Sequence, residues 1–417
     1  MAGTSFEKRE TGRKFETAIV LVVALSPLVL VFSRESPVAI LALLTALAIA
    51  SAVVRRGIRQ ALADFGAATI RGPILILAAA LTYTTASVAW SVVPARGGEF
   101  ALHMAATSVG AVALFTFGRQ LDARRLAPAL SIGLLLASAL VVFEMKNGLA
   151  VRGMLGISTG YHELNRAAIA IALFLPVLGF ALGRTGTKLA LIYFTAVAAP
   201  SVYAAYIAIS STAHLVLLLL MVVIPACMLA PRAMHRLATL VIIAATISAP
   251  LYVGHINSLI PEAIHQRVAY GAMGIRGDMW AVFAQLFWER PFFGFGIETS
   301  SFIDRTEFSA ALSDRELGLI MLGHTHNAIL QVWVDLGLVG AIFLVILIAV
   351  GMYGVERNVR STRLPLVTAL AVAMYAVSFV SHGAWQAWWP CLAVIVAYAV
   401  MLIGSCSSDA PPAEDNR

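Results

Sequence analysis

The sequence predicts an all-α protein: a polytopic membrane helical bundle of about twelve transmembrane helices, with one large outer-face loop carrying short helices. Three observations predict it. Of 417 residues, 60% are hydrophobic and 12% charged, about half the charge density of a soluble domain. Uncharged stretches of about 17 to 25 residues recur from end to end, each long enough to cross a hydrocarbon layer of roughly 30 Å as a helix. Successive connections also differ in charge. Nineteen of the 29 Lys and Arg fall on one side and ten on the other, the asymmetry that holds basic loops in the cytoplasm during insertion.

The expected spans run in order over 17–32, 38–54, 73–90, 100–117, 127–143 and 166–182, then 189–209, 213–229, 237–253, 328–353, 364–381 and 388–404. The basic set includes Lys8, Lys14, Arg55, Arg56, Arg124, Arg125, Arg232, Arg236, Arg357, Arg360 and Arg363, which puts both termini in the cytoplasm. Residues 1–404 then form a single transmembrane domain, and 405–417, polar and Pro-containing, a disordered cytoplasmic tail. The net charge of +7 follows from topology and gives no reason to invoke nucleic acid. Cys227, Cys391 and Cys406 show no pairing pattern, so no disulfide framework is implied. No A-x-A site follows the first apolar run, so that span is expected to be retained.

Two outer-face connections are long. The first covers 144–165; the second, 254–327, is long enough that a functional role is expected. Within it, 278–288 (DMWAVFAQLFW) is expected to be a helix too short to span, ended by Pro291. Trp280, Phe283 and Phe287 recur on one face, which favours anchoring in the membrane interface.

The chemistry concentrates where this loop ends, at His324-Thr325-His326-Asn327. Asn327 is a suitable N-cap for the span that follows. His326 then sits at the positive end of the helix dipole, where an anion is favoured and the imidazole stays neutral. Arg267, Arg276, Arg290, Arg305 and Arg315 lie in the same loop, against the topology rule, and guanidinium groups bind phosphate oxygens with paired donors. Eight carboxylates share the loop, so simple pairing explains any one of these arginines as well as ligand binding does. Arg276 stands apart because it precedes Trp280 by one helical turn, which sets both on one face. No third or fourth ligand accompanies His324 and His326 at zinc spacing, no D-x-D pair occurs, and no metal is expected. Gly294-Phe295-Gly296 follows Pro291 and lacks a third glycine, so it reads as a turn and not a nucleotide loop.

Three motifs in this order, Arg276-Gly-Asp-Met-Trp280, Glu289-Arg-Pro-Phe-Phe-Gly-Phe-Gly296 and His324-Thr-His-Asn through Asp335-Leu-Gly-Leu-Val-Gly340, closely resemble the O-antigen ligase and polymerase superfamily. Tyr161-His-Glu-Leu-Asn165 and Gly383-Ala-Trp-Gln-Ala-Trp-Trp389 add to the resemblance. It implies a bacterial inner-membrane glycosyltransferase of the GT-C type that takes a glycan from undecaprenyl diphosphate at the periplasmic face. The acceptor would be lipid A core in the ligase branch, or another glycan in an O-antigen or exopolysaccharide polymerase. The implied roles are a base at His326 and a diphosphate grip at Arg276, with no cofactor. His324, Asn327, Trp280, Arg267, Arg166, Arg305 and Arg315 are the further candidates for substrate binding. The chain departs from the family pattern in two places. Asp335 stands where the family often has Glu, and Ser210-Ser211-Thr212-Ala213-His214 replaces a motif in which many members carry Arg, so Arg166 or Arg267 would have to substitute. A transporter of the lipid-linked glycan is the rival of another class. Transporters usually carry charged or broken spans, and these spans read as nearly charge-free.

Overall fold

A computed structural model describes residues 2–118, 121, 123–259, 272–321 and 323–403. Arg267, Cys406 and the tail 405–417 lie outside them. The helices are α1 (Ala2–Phe32), α2 (Ser36–Arg56), α3 (Ile58–Thr69), α4 (Gly72–Ala86), α5 (Pro94–Phe117), α6 (Ala123–Lys146), α7 (Ala150–Met154), α8 (Leu164–Arg184) and α9 (Ala190–Ile207). They continue as α10 (Ser211–Leu229), α11 (Pro231–Tyr252), α12 (Ile256–Leu259), α13 (Ala272–Glu289), α14 (Asp314–Ile320), α15 (Ala328–Asn358), α16 (Leu364–Val380) and α17 (Trp388–Leu402). Each of the twelve expected spans coincides with one of these helices, with ends shifted by a few residues at most positions. Ten stretches are long and apolar enough to cross a membrane; Leu364–Val380 and Trp388–Leu402 are shorter apolar helices. The protein is a polytopic helical membrane protein. Helix α3, in the basic connection after α2, was not expected.

The chain forms two compact units. The first comprises 1–68, 109–217 and 390–417. At its centre runs α8, buried along most of its length through Ala167, Ala168, Ala170, Ala172 and Ala181 among larger residues. Such small side chains let membrane helices approach closely. Gly133 of α6 packs directly on the Ala24 carbonyl of α1, where no larger residue fits. The long connection 144–165 is ordered by a buried Glu144, which accepts from the amides of Val151 and Arg152. The buried Arg152 donates in turn to the carbonyls of Ser158 and Val31.

The second unit comprises 69–108 and 218–389. Its core joins α13 to α15: Trp280, Phe283, Leu286 and Phe287 pack with Ile303, Leu330, Trp333 and Val334. The expected interfacial anchoring of Trp280, Phe283 and Phe287 is therefore incorrect. Their stripe faces protein, and it is Trp288, Phe292 and Phe293 that are exposed.

Helix α15 is not continuous. Gly337 adopts φ 63°, ψ −160°, a region essentially closed to residues with a Cβ. The break frees backbone groups that a membrane cannot satisfy, and the segment 291–296 fills them. Phe295 and Gly296 donate to the carbonyls of Val334 and Asp335 at 3.1 and 2.8 Å, while Leu338 and Val339 donate to those of Pro291 and Phe292 at 2.8 and 3.2 Å. The Tyr83 hydroxyl of α4 caps the Leu336 carbonyl at 2.8 Å. So the Gly-Phe-Gly turn is the plug of a broken helix. Sequence reading missed that break, and missed the buried Asp335 beside it.

Candidate active site

Asn327 caps α15 as expected: its Oδ1 accepts from the Leu330 amide at 2.9 Å. The preceding residues form a tight hook in which the Thr325 hydroxyl donates to the Asn327 carbonyl at 2.8 Å. Trp280, wholly buried, pins the hook by donating from Nε1 to the Thr325 carbonyl at 2.7 Å. Its role is structural: it is sealed in the core and does not line a surface. The hook forces His326 to φ 50°, an uncommon conformation for a residue with a side chain.

The other wall is the end of α16. The last carbonyls of a helix lack intrahelical partners and carry partial negative charge. Two consecutive ones are taken by the candidate residues: Arg276 donates from Nη1 to the Val380 carbonyl at 2.9 Å, and His326 Nδ1 lies 3.0 Å from the Ser381 carbonyl. A carbonyl can only accept, so Nδ1 carries the proton and Nε2 presents its lone pair. Burial pushes the His326 pKa below the ordinary imidazole value; the Ser381 carbonyl opposes this, and the Arg276 charge adds to it. Burial also lowers the Arg276 pKa, but a guanidinium that starts above 12 stays charged. The arrangement is thus a neutral imidazole beside a fixed cation, and four of the five guanidinium donors are not engaged by Val380.

The His324 ring lies tilted by 38° against that of His326 with ring centres 4.0 Å apart, and its Nε2 meets Gln386 Nε2 at 3.1 Å. The Nδ2 of buried Asn327 has no acceptor among the described residues. Behind the hook, α15 carries a polar stripe at one-turn spacing. Gln331 bridges the Ser300 hydroxyl and the Ala384 amide at 3.0 and 2.7 Å. The Asp335 carboxylate receives four donors: the amides of Glu298 and Ser300, the Ser300 hydroxyl and Trp385 Nε1. Glu298, itself buried and at φ 65°, has its pKa raised to about 8 by burial and then by Asp335, against smaller opposing effects of Arg96 and Ser301.

Arg315 and Arg305 are not brought to this place. Arg315 is exposed and pairs with Asp278 at 2.7 Å. Arg305 is exposed and lies over the Phe302 ring, 4.8 Å from its centre. Each of these side chains therefore has a local partner away from the hook. Arg166 is half-buried at the start of α8 in the first unit, near Glu163, Arg34 and Glu35. Ser210 and Ser211 open α10, the Ser210 hydroxyl accepting from the Ala213 amide at 3.3 Å. Sequence reading overlooked Val380, Ser381, Gln331 and Gln386. Gln331 and Gln386 stood in motifs already noticed, but the two carbonyls carry no side-chain signal at all.

Residues 196–345, which include Arg276, the hook and the elbow of α15 at Gly337, match the family model described as O-Antigen ligase. A protein of Rickettsia conorii (strain ATCC VR-613 / Malish 7), provisionally named as a polysaccharide ligase, is 24% identical over 111 residues, which make up 27% of each chain. The aligned part is thus about a quarter of that relative's length. Over the matched segment, and in having a helical membrane fold, the chain is similar to the O-antigen ligase superfamily.

Proposed function

We propose that the protein is a membrane glycosyltransferase that moves a glycan from undecaprenyl diphosphate to an acceptor at the periplasmic face, with lipid A core as the acceptor. The observation that carries the reading is the mooring of Arg276 and His326 to adjacent carbonyls, which holds a cation and a free imidazole Nε2 side by side. In the reaction the acceptor hydroxyl passes its proton to Nε2 as its oxygen bonds to the anomeric carbon. The bond from that carbon to the diphosphate oxygen breaks, and its electron pair leaves on the diphosphate beside Arg276. One in-line displacement inverts the anomeric carbon. Positioning and charge stabilisation supply most of the rate, since the leaving group is already good. His324 completes the wall facing the substrate, while the buried Asn327 holds the hook behind it. The mechanism calls on no metal, so transfer by the purified protein persists in a chelator.

The test is a gel of lipopolysaccharide from a deletion strain carrying each variant. A core without O-chain in the deletion identifies a ligase, a core with one repeat a polymerase, and loss of a secreted polymer alone an exopolysaccharide enzyme. His326→Ala and Arg276→Ala should behave as the deletion while reaching the membrane in normal amount. Normal polysaccharide with His326→Ala removes the base from the mechanism.

A lipid-linked glycan transporter is the second reading, favoured by the break in α15 and the buried Asp335, features of transport paths. Against it, the backbone groups freed at the break are bonded to 291–296 and Tyr83, not turned to a cavity.

A further inference from the structure

Helix lengths fix a depth for the elbow. α16 has 17 residues and α15 has 31, about 26 and 46 Å if straight. They are joined at one end by the short link 359–363 and touch at the other through His326 and Ser381. Two straight helices of these lengths cannot meet at both ends, so α15 must turn at Gly337. Its longer limb, 338–358, is then about 31 Å, one hydrocarbon thickness, and starts from the basic cluster Arg357, Arg360 and Arg363. Pro291 and Phe292 bond to the far end of that limb at Leu338 and Val339.

At this level three large aromatic residues are turned outward: Trp288, Phe292 and Phe293 are 59, 64 and 62% exposed. They are continuous with an exposed apolar stripe on the longer limb, Leu338, Ile342, Ile346 and Tyr353, spaced by about one and two turns. That limb makes up most of the candidate membrane span Ala328–Asn358, so the stripe faces lipid and the aromatic residues extend it.

We infer that 288–293 is a wedge inserted into the outer-leaflet boundary of the bilayer, with Phe292 and Phe293 in the hydrocarbon edge and Trp288 among the headgroups. Indole and phenyl rings partition to that zone. The wedge clamps the elbow, and through it the start of α15, at a set height above the lipid.

The test uses the full chain in phosphatidylethanolamine–phosphatidylglycerol vesicles, with Cys227, Cys391 and Cys406 replaced by Ser and one cysteine introduced by Phe293→Cys. A nitroxide there should collide with oxygen in several-fold preference to a water-soluble nickel chelate, as at Ile346→Cys. At Asp304→Cys the preference should reverse. A water-like result at position 293, or shielding from both reagents as under a protein partner, overturns the inference. Should the cysteine-free background fail to fold, quenching by brominated lipids is compared between the unaltered chain and Trp288→Phe. Loss of the shallow-quenched component in Trp288→Phe supports the wedge, and identical quenching overturns it. None of these readouts depends on transfer activity.

Discussion

Replacing Gly337 by Ala tests the elbow directly. A Cβ at this position would lie 2.5 Å from the carbonyl carbon and oxygen of Phe292 and 2.6 Å from the Gly294 nitrogen. All three are backbone atoms, so no side chain can swing aside. The backbone conformation adds strain of about 1–3 kcal/mol for a non-glycine residue. Forcing the plug away from α15 adds overpacking of about 1–3 kcal/mol and weakens bonds worth roughly 1 kcal/mol each. The sum is about 3–6 kcal/mol, a fall in melting temperature of roughly 3–7 °C for a chain of 417 residues. Gly351, in the same helix with open space around its Cβ position, is the control, and Gly351→Ala should be neutral or stabilising by about 0.5–1 kcal/mol. The buried thiols of Cys227 and Cys391 provide the assay: a thiol-reactive dye reports their exposure as detergent-solubilised protein is heated. If Gly337→Ala and Gly351→Ala melt together, the elbow is not held by the close approach described here, and the depth argument fails with it.

Asp335→Asn keeps the shape but leaves the four donors around Asp335 facing a group that can accept on one side alone; a cost of about 3–5 kcal/mol is expected, read in the same dye assay, with a stability close to native arguing against the hub. Glu298 carries a raised pKa near 8, so its folded form prefers the proton. Its burial costs nothing below the unfolded value of about 4.3 and progressively destabilises the fold as pH rises towards 8. Melting temperature should therefore fall between about pH 5 and 8 and level off above that, and Glu298→Gln should flatten the fall; an unchanged slope refutes the assignment. His326 has a lowered pKa, so the neutral base is already present at neutral pH. Transfer by purified protein should be level from pH 7 to 8 and decline only below the ordinary imidazole value of about 6.5; a decline centred above 7 contradicts the burial of this ring.

Much of the scaffold was legible because hydropathy is a local property: every expected span has its helix, and the Asn327 cap and the Arg276–Trp280 spacing were also read correctly. What escaped was set at long range. Gly337 in an apolar run reads as ordinary helix, since its left-handed conformation exists only because 291–296 packs against it. Helical spacing put Trp280, Phe283 and Phe287 on one face but could not say that protein, not lipid, covers that face. Helix α3 was hidden by its basic neighbours, Arg55, Arg56 and Arg59, which read as a loop. The candidate site was half legible: the base and one cation stood out by chemistry, whereas their anchor is peptide backbone 55 and 104 residues away.

That anchor has a consequence for how the protein can vary. Because the main chain at 380 and 381 supplies the attachment points, the identity of the side chains there is free to drift: Val380→Ile or Ser381→Ala leaves both oxygens in place. A shift of the terminal turn of α16, by contrast, carries proton acceptor and positive charge along as one piece, preserving their mutual spacing while changing their aim at a bound lipid. Variation is therefore expected to change the aim of the two candidate residues through the backbone course of 380–383, not through the residues themselves.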